Sequence, residues 1–282
     1  MIGFLLFENI HNKKDIASSR IRGRWLIKYW PEAEEYVYGK KYDVVIYQKA
    51  YLTDHARNFD GIKILDLCDP DWVDVSNFRE MIDLVDAITV CTPAFKEFLQ
   101  QITNKPIVVI PDRMDIEHYK EKKIHRNIAR EVVWHGYAHN SYVLKQVVNT
   151  LNKYNLGISI ISNEPVTLGS FGISLDGKKV QERYTKWDLE TFNSEFIKSD
   201  ICILPPVWKP NDRFKSNNKI LTSWALGVPV AQNSEELERF LDPVERQKEA
   251  DLRWQEIKEK WDVKQSVKEM KVLIEQLQAK KI

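Results

Sequence analysis

Short apolar runs alternate with segments of helical spacing along the first 110 residues. Residues 2–7, 43–47 (DVVIY), 62–67 (IKILDL), 87–90 and 106–110 are rich in Ile, Val and Leu. Between them, 18–30, 75–84 and 93–101 carry apolar residues at the three- and four-residue intervals of a helix. The first of these stops at Pro31. The last opens on Pro93, which a helix tolerates in its first turn. Runs that are apolar throughout predict strands buried on both faces, as in parallel βαβ units. Residues 111–130, PDRMDIEHYKEKKIHRNIAR, break the pattern. They are polar and basic with no strand run, and predict a connection between two domains.

The alternation then restarts. Strands are predicted over 131–134, 157–161, 201–204 and 228–231, and helices over 141–154, 189–198 and 217–226. The expected fold is α/β, with two Rossmann-like βαβ domains facing across a cleft, 1–122 and 123–262. The tail from 242 onward is charged and helical in period. Residues 263–282 place Val267, Met270, Val272, Leu273, Ile274 and Leu277 at spacings that predict a helix packing back on the body. No internal repeat or low-complexity stretch interrupts the chain.

Composition narrows the class. Of 282 residues, 43% are hydrophobic and 29% charged, which excludes a collagen, a mucin-like stalk and a mostly disordered chain. Lys+Arg number 42 against 41 Asp+Glu, so binding nucleic acid by bulk charge is not expected, whereas a local basic groove stays open. No apolar run approaches the ~20 residues of a bilayer span, so no integral membrane association is expected. The start, MIGFLLFENIHNKK, has no basic residue before its apolar run and reads as a first strand. Cys68, Cys91 and Cys202 are odd in number and widely spaced, which suits neither a disulfide framework nor a zinc cluster. They predict buried thiols and a cytoplasmic protein, of a cell or of an infected host.

The chemistry concentrates in 205–230, PPVWKPNDRFKSNNKILTSWALGVPV. It follows an apolar strand and sets Arg213, Lys215 and Lys219 around a helix start at Ser216, Asn217 and Asn218. Ser is a favoured N-cap. A helix start offers free N–H groups and a positive dipole end, and the added cations suit it to a diphosphate. At the end of strand 131–134, Gly136 lets a ligand approach the backbone and His135 could donate to a phosphate or a sugar hydroxyl. Trp187 and Tyr184 are candidates for stacking on a base, with plain packing as the alternative. In the first half, Asp66, Asp69 and Asp71 follow a predicted strand. They could meet acceptor hydroxyls, act as a general base with Asp69 first in rank, or simply shape a turn. A metal site there is not expected. Arg20, Arg22 and Arg24, with Lys13 and Lys14, form a basic cluster after the first strand. It predicts contact with a phosphate on donor or acceptor, or a solvated face.

Four stretches carry a resemblance. Ala225-Leu226-Gly227-Val228-Pro229-Val230 resembles the A-x-G-x-P-V turn of GT-B glycosyltransferases. Ile110-Pro111-Asp112-Arg113-Met114-Asp115, with Tyr119 beyond, is similar to the run that closes that family's N-terminal domain. Ala17-Ser18-Ser19-Arg20-Ile21-Arg22 resembles its S-x-R start, and FNSEFIKSDICIL at 192–204 resembles the segment before its donor site. The resemblance implies an acceptor domain over 1–122, a donor domain over 123–262, a UDP-sugar as substrate and no required cofactor. Many retaining members carry two glutamates in the donor segment, where this chain has Phe214 and Thr222. The family's Arg and Lys at the opening of the second domain are also missing from Trp134–Ser141, leaving the diphosphate to Arg213, Lys215 and Lys219.

The expected function is transfer of a sugar from a nucleotide-diphosphate donor to a hydroxyl acceptor. The acceptor is a glycan or a hydroxymethylated base in viral DNA, the latter requiring base flipping. Donor contacts are expected from His135, Gly136, Trp187, Arg213, Lys215, Ser216, Asn217, Asn218 and Lys219. Acceptor contacts are expected from Arg20, Arg22 and Asp71, with Asp69 as the base of an inverting reaction. The alternative is a non-catalytic nucleotide-sugar-binding protein on the same fold.

Overall fold

A computed structural model of the chain describes residues 1–171, 180–207 and 209–281. It forms two compact units. The first comprises Met1–Asp115, Lys209–Asn217 and Trp261–Ile282, and the second Ile116–Trp208 and Asn218–Lys260.

The first unit is built on a six-stranded sheet of β1 (Ile2–Leu6), β2 (Ala33–Glu35), β3 (Val44–Gln48), β4 (Ile62–Leu67), β5 (Ala87–Val90) and β6 (Ile107–Val109). The order is β2-β1-β3-β4-β5-β6 and every pairing is parallel. All five residues of β1 and of β3 are buried, as strands covered on both faces require. The chain leaves β1 for β2 on one side and returns to β3 on the other. That reversal opens a crevice at the carboxyl ends of β1 and β3.

The second unit carries a five-stranded parallel sheet of β7 (Glu131–Gly136), β8 (Gly157–Ser162), β9 (Glu182–Lys186), β10 (Ile201–Ile203) and β11 (Val230–Ala231). Its order, β11-β10-β7-β8-β9, puts the reversal between β7 and β10. Helix α1 (Asn218–Ala225) follows β10, and α2 (Pro243–Lys260) packs against it. The last helix, α3 (Val263–Lys281), belongs to the first unit and lies on Trp25–Lys28 and β4. Its buried face is Val267, Met270, Leu273, Ile274 and Leu277, while Val272 is exposed on the opposite side.

Several elements differ from the sequence reading. The helix expected over 18–30 is continuous from Ala17 to Lys28, but its middle, Arg20–Arg24, is wound as a π-turn. Gly23 sits there against the Leu6 side chain, where a Cβ would collide. Over 141–154 the backbone is a 3-10 run, Ala138–Gln146, followed by a short α-helix, Val148–Lys153. Strand β9, ERYTK, was not expected: it is a polar edge strand, and edges are guarded by charge rather than marked by apolar alternation. The first residues of the expected connection, 111–115, are fixed in the first unit. Met114 N–H donates to Trp261 O at 2.7 Å, and Arg113 grips Glu269 at 2.7 and 2.8 Å. Asp115 accepts from Lys28 and Tyr29 at 2.7 and 2.6 Å.

Candidate functional site

In the second unit, the crevice at the end of β7 brings together His135, Gly136 and Lys219. Val132, Val133 and Trp134 are apolar and buried and fix the strand in the core, so its last two residues lie at the carboxyl edge. An added Cβ on Gly136 would lie 3.0 Å from Lys219 Nζ and 3.1 Å from the Trp134 ring. Glycine is therefore what lets the Lys219 side chain lie over the strand end. Helix α1 begins one residue before Lys219, so the first-turn N–H groups, which lack an intrahelical carbonyl, start at the same place. Ser223 Oγ donates to the Lys219 carbonyl at 3.0 Å and fixes that turn. Gly227, after α1, has φ +71°, a conformation that glycine adopts without strain. Its N–H bonds Trp224 O at 3.0 Å, ending the helix so that Pro229 can lead into β11.

His135 is 7% exposed and packed against Phe192 and Phe196, ring centroids 5.4 and 5.2 Å away. Burial, reinforced by the Lys219 charge, pushes its pKa down to about 3, against a weaker opposing hydrogen bond to the Lys219 backbone. The imidazole is thus neutral at pH 7, and among the described residues its Nε2 has no hydrogen-bond partner. A neutral ring beside a lysine is a polar contact for a ligand rather than a second cation. The unfolded histidine protonates near 6.5, so stability from this group is intact above that pH and is lost as pH falls toward 3. We expect the His135 ring resonances to stay those of neutral imidazole from pH 8 to 4 by NMR. A midpoint near 6.5 would contradict the burial.

Trp187 follows β9 at the same sheet edge, half-buried, with its N–H bonded to Ser162 O at 2.8 Å. Tyr184 lies within β9 and donates to Ser162 O at 3.5 Å. The remaining expected donor residues, Arg213, Lys215, Ser216 and Asn217, belong to the first unit. The Phe214 ring anchors that segment among Trp72, Phe95 and Phe98 at 5.1–5.8 Å. Cys91 Sγ and Thr92 Oγ1 both donate to the Phe214 carbonyl, at 3.2 and 3.4 Å. Arg213 lies over the Phe214 ring, and Lys215 is exposed and paired with Asp212 at 3.3 Å. These cations thus belong to the segment that Phe214 anchors in the first unit's core.

In the first unit, the carboxyl edge of the sheet holds Lys49, Asp69 and Asp71. Lys49 follows β3 with φ +51°, a backbone region uncommon for a lysine. Its ammonium reaches Asp69 Oδ2 at 2.6 Å and Asp71 Oδ1 at 3.4 Å. Tyr51 Oη donates to Asp71 Oδ2 at 2.6 Å. Burial holds the Asp71 carboxyl above its ordinary range, offset in part by Lys49 and Tyr51. The Asp69 side chain is 39% exposed. Among the described residues its Oδ1 accepts no hydrogen bond. Lys49 and Tyr51 were missed in the sequence, although the rule that found Asp69, polar residues just past a buried parallel strand, applies equally to them.

Asp66, Arg22 and Arg24 have other employment. Arg22, expected at the acceptor, is instead buried inside the first unit. It forks onto Asp66 at 2.8 and 2.5 Å and donates to Asp112 at 2.7 Å and Ile110 O at 2.9 Å. Thr89 completes the set on Asp66 at 2.6 Å. Arg24 is held by Glu8 and Glu35 at 2.9 and 2.7 Å. Arg20 lies half-buried with its guanidinium 5.8 Å over the Trp25 ring. The basic run is thus largely compensated by carboxylates brought from other strands. Among the described residues, no group of three or more His, Cys, Asp or Glu is placed to hold a metal ion, and no helix is long and apolar enough to cross a membrane.

No family model and no curated protein sequence matches the chain. Solved structures do. Anabaena Alr3699/HepE, in complex with UDP and glucose, superposes with a TM-score of 0.66 at 12% identity, covering 97% of this chain and 98% of its own. The DNA-modifying enzyme β-glucosyltransferase, solved with and without uridine diphosphoglucose, gives 0.60 at 12% identity over 97% and 99%. The UDP-forming α,α-trehalose-phosphate synthase of Burkholderia vietnamiensis gives 0.54 at 11% over 84% and 72%. The chain has the GT-B fold. At such identity the likeness fixes the architecture and leaves chemistry to the side chains. Within the GT-B frame, the resemblance seen around Gly227 acquires a physical basis, because that glycine supplies the left-handed turn between α1 and β11.

Proposed function

We propose that the protein is a glycosyltransferase that moves a sugar from a nucleotide-diphosphate donor, a UDP-sugar by preference, to a hydroxyl acceptor. The observation that carries this reading is the meeting of Lys219, Gly136 and neutral His135 at the reversal point of the second sheet. A lysine at a helix start, above a strand end bare of side chain, is suited to a diphosphate. The second unit then supplies donor contacts through His135, Gly136, Trp187, Asn218 and Lys219. Arg213, Lys215, Ser216 and Asn217, which directly precede α1 in the chain, are taken as further donor contacts. Charge developing on the departing diphosphate is stabilised by the cations and the helix start. Asp69 is the general base, with Asp71 and Arg20 toward the acceptor. The likeness to a DNA-modifying enzyme over 97% of this chain favours DNA as acceptor, which we take to carry a hydroxymethylated base; a glycan is the other acceptor class. Three free, buried thiols accord with a reducing cytoplasm.

Titration calorimetry with UDP and UDP-glucose tests the donor site. Lys219→Ala and Arg213→Ala are each expected to weaken binding by about 1.5–3 kcal/mol, the worth of a charge-assisted contact, with melting temperature little changed. Unchanged affinity in both folded variants would refute the site.

A further inference from the structure

Asp69 and Lys49 come from neighbouring strands whose carboxyl ends lie side by side. In parallel register Gln48 faces Asp66, so the residues just beyond β3 and β4 share one edge. Lys49 is mostly buried, and the left-handed turn at its own backbone directs it along that edge. Its N–H is tied to Asp66 O at 3.0 Å. The ammonium occupies Oδ2 of Asp69, which Cys68 Sγ also approaches at 3.6 Å, and leaves Oδ1 open. Asp71 stands on the other side of the ammonium, locked by Tyr51. Among the described residues, the titratable groups around Asp69 include Lys49, Cys68 and Cys91, with Asp71 and Tyr51 across the ammonium.

We propose that Lys49 is a positioning residue for glycosyl transfer: it holds Oδ2 of Asp69 so that Oδ1 meets the acceptor hydroxyl and takes its proton. The proposal rests on the transferase reading with Asp69 as base. In the step, the acceptor O–H proton passes to Oδ1. The freed oxygen bonds to the sugar's anomeric carbon. The bond from that carbon to the diphosphate oxygen breaks, and the nucleoside diphosphate leaves with the electron pair. Lys49 exchanges no atom. It fixes which oxygen is presented.

UDP release from UDP-glucose, with water as acceptor, reads this out for wild type, Lys49→Met, Lys49→Gln and Lys49→Arg. Turnover should fall at least about ten-fold in the Met and Gln variants, at a contact strength of ~1.4 kcal/mol or more, with KM for UDP-glucose unchanged. Arg should restore most of the turnover, which a merely structural role would not require. If Lys49→Met fails to fold, Lys49→Gln carries the same expectation. Wild-type turnover in a folded, charge-free variant, or an equal loss in Lys49→Arg, overturns the role of Lys49 alone. Wild-type turnover in Asp69→Asn overturns Asp69 as base, and Lys49 with it. No release by wild type from UDP-glucose or from a panel of other nucleotide sugars overturns the transferase reading itself, and this proposal with it.

Discussion

Replacing Arg22 with alanine is expected to cost roughly 3–5 kcal/mol of stability, enough to unfold much of a marginally stable chain. The guanidinium is 4% exposed and makes bonds to two carboxylates and a carbonyl. Its partners are equally buried: Asp66 in β4 and Asp112 just past β6. Removing the cation leaves two uncompensated carboxylates in the core of the first unit, and no rearrangement of Thr89 can neutralise both. Burial opposes the charged guanidinium, but Asp66 and then Asp112 more than offset it and raise its pKa well above the ordinary value. Arg22→Lys should recover only part of the loss, because one ammonium cannot reproduce the fork on Asp66. Urea unfolding measures both variants. A loss below about 1 kcal/mol for alanine would mean that the network is exposed to water, contrary to the structure.

Asp69→Asn is expected to lower transfer by about 10²–10⁴-fold, the usual contribution of a positioned general base. The amide keeps the volume and a hydrogen-bonding oxygen for Lys49 but cannot take the acceptor's proton. Melting temperature should change little, since Asp69 is partly exposed and contributes one ion pair, and donor affinity should change little because Asp69 is assigned no donor contact. Measuring turnover and UDP affinity side by side separates the two effects. Equal loss of both would move Asp69 from proton transfer to donor binding.

The parts of this molecule that were legible in the sequence are those set by local pattern. Mostly apolar runs marked the parallel strands other than the edge strands β2 and β9, and positions just beyond them marked His135, Gly136 and Asp69. The turn at Gly227 was legible because its glycine answers a backbone requirement. Contacts between distant segments were not legible. Arg22 read as part of a basic cluster because its partners lie 44 and 90 residues away. Nor was it legible that Phe214, the ring between Arg213 and Lys215, packs among Trp72, Phe95 and Phe98. A helix signal says nothing of where such a ring will pack. Strand β9 escaped because an exposed edge needs no apolar alternation, and Lys49 because a single lysine after a strand carries no spacing of its own.

Release of nucleoside diphosphate decides whether this GT-B chain turns over a nucleotide sugar. Purified protein is incubated with UDP-glucose and a panel of other nucleotide sugars, first alone and then with glycans or DNA containing hydroxymethylated pyrimidines, and binding is followed in parallel by thermal shift. We expect at least one nucleotide sugar to raise the melting temperature, slow release of its diphosphate without acceptor, and acceleration by one acceptor class. Tight binding with no release under any condition would contradict the transferase and leave a nucleotide-sugar-binding protein; no binding of any nucleotide sugar would contradict the donor site at Lys219 itself.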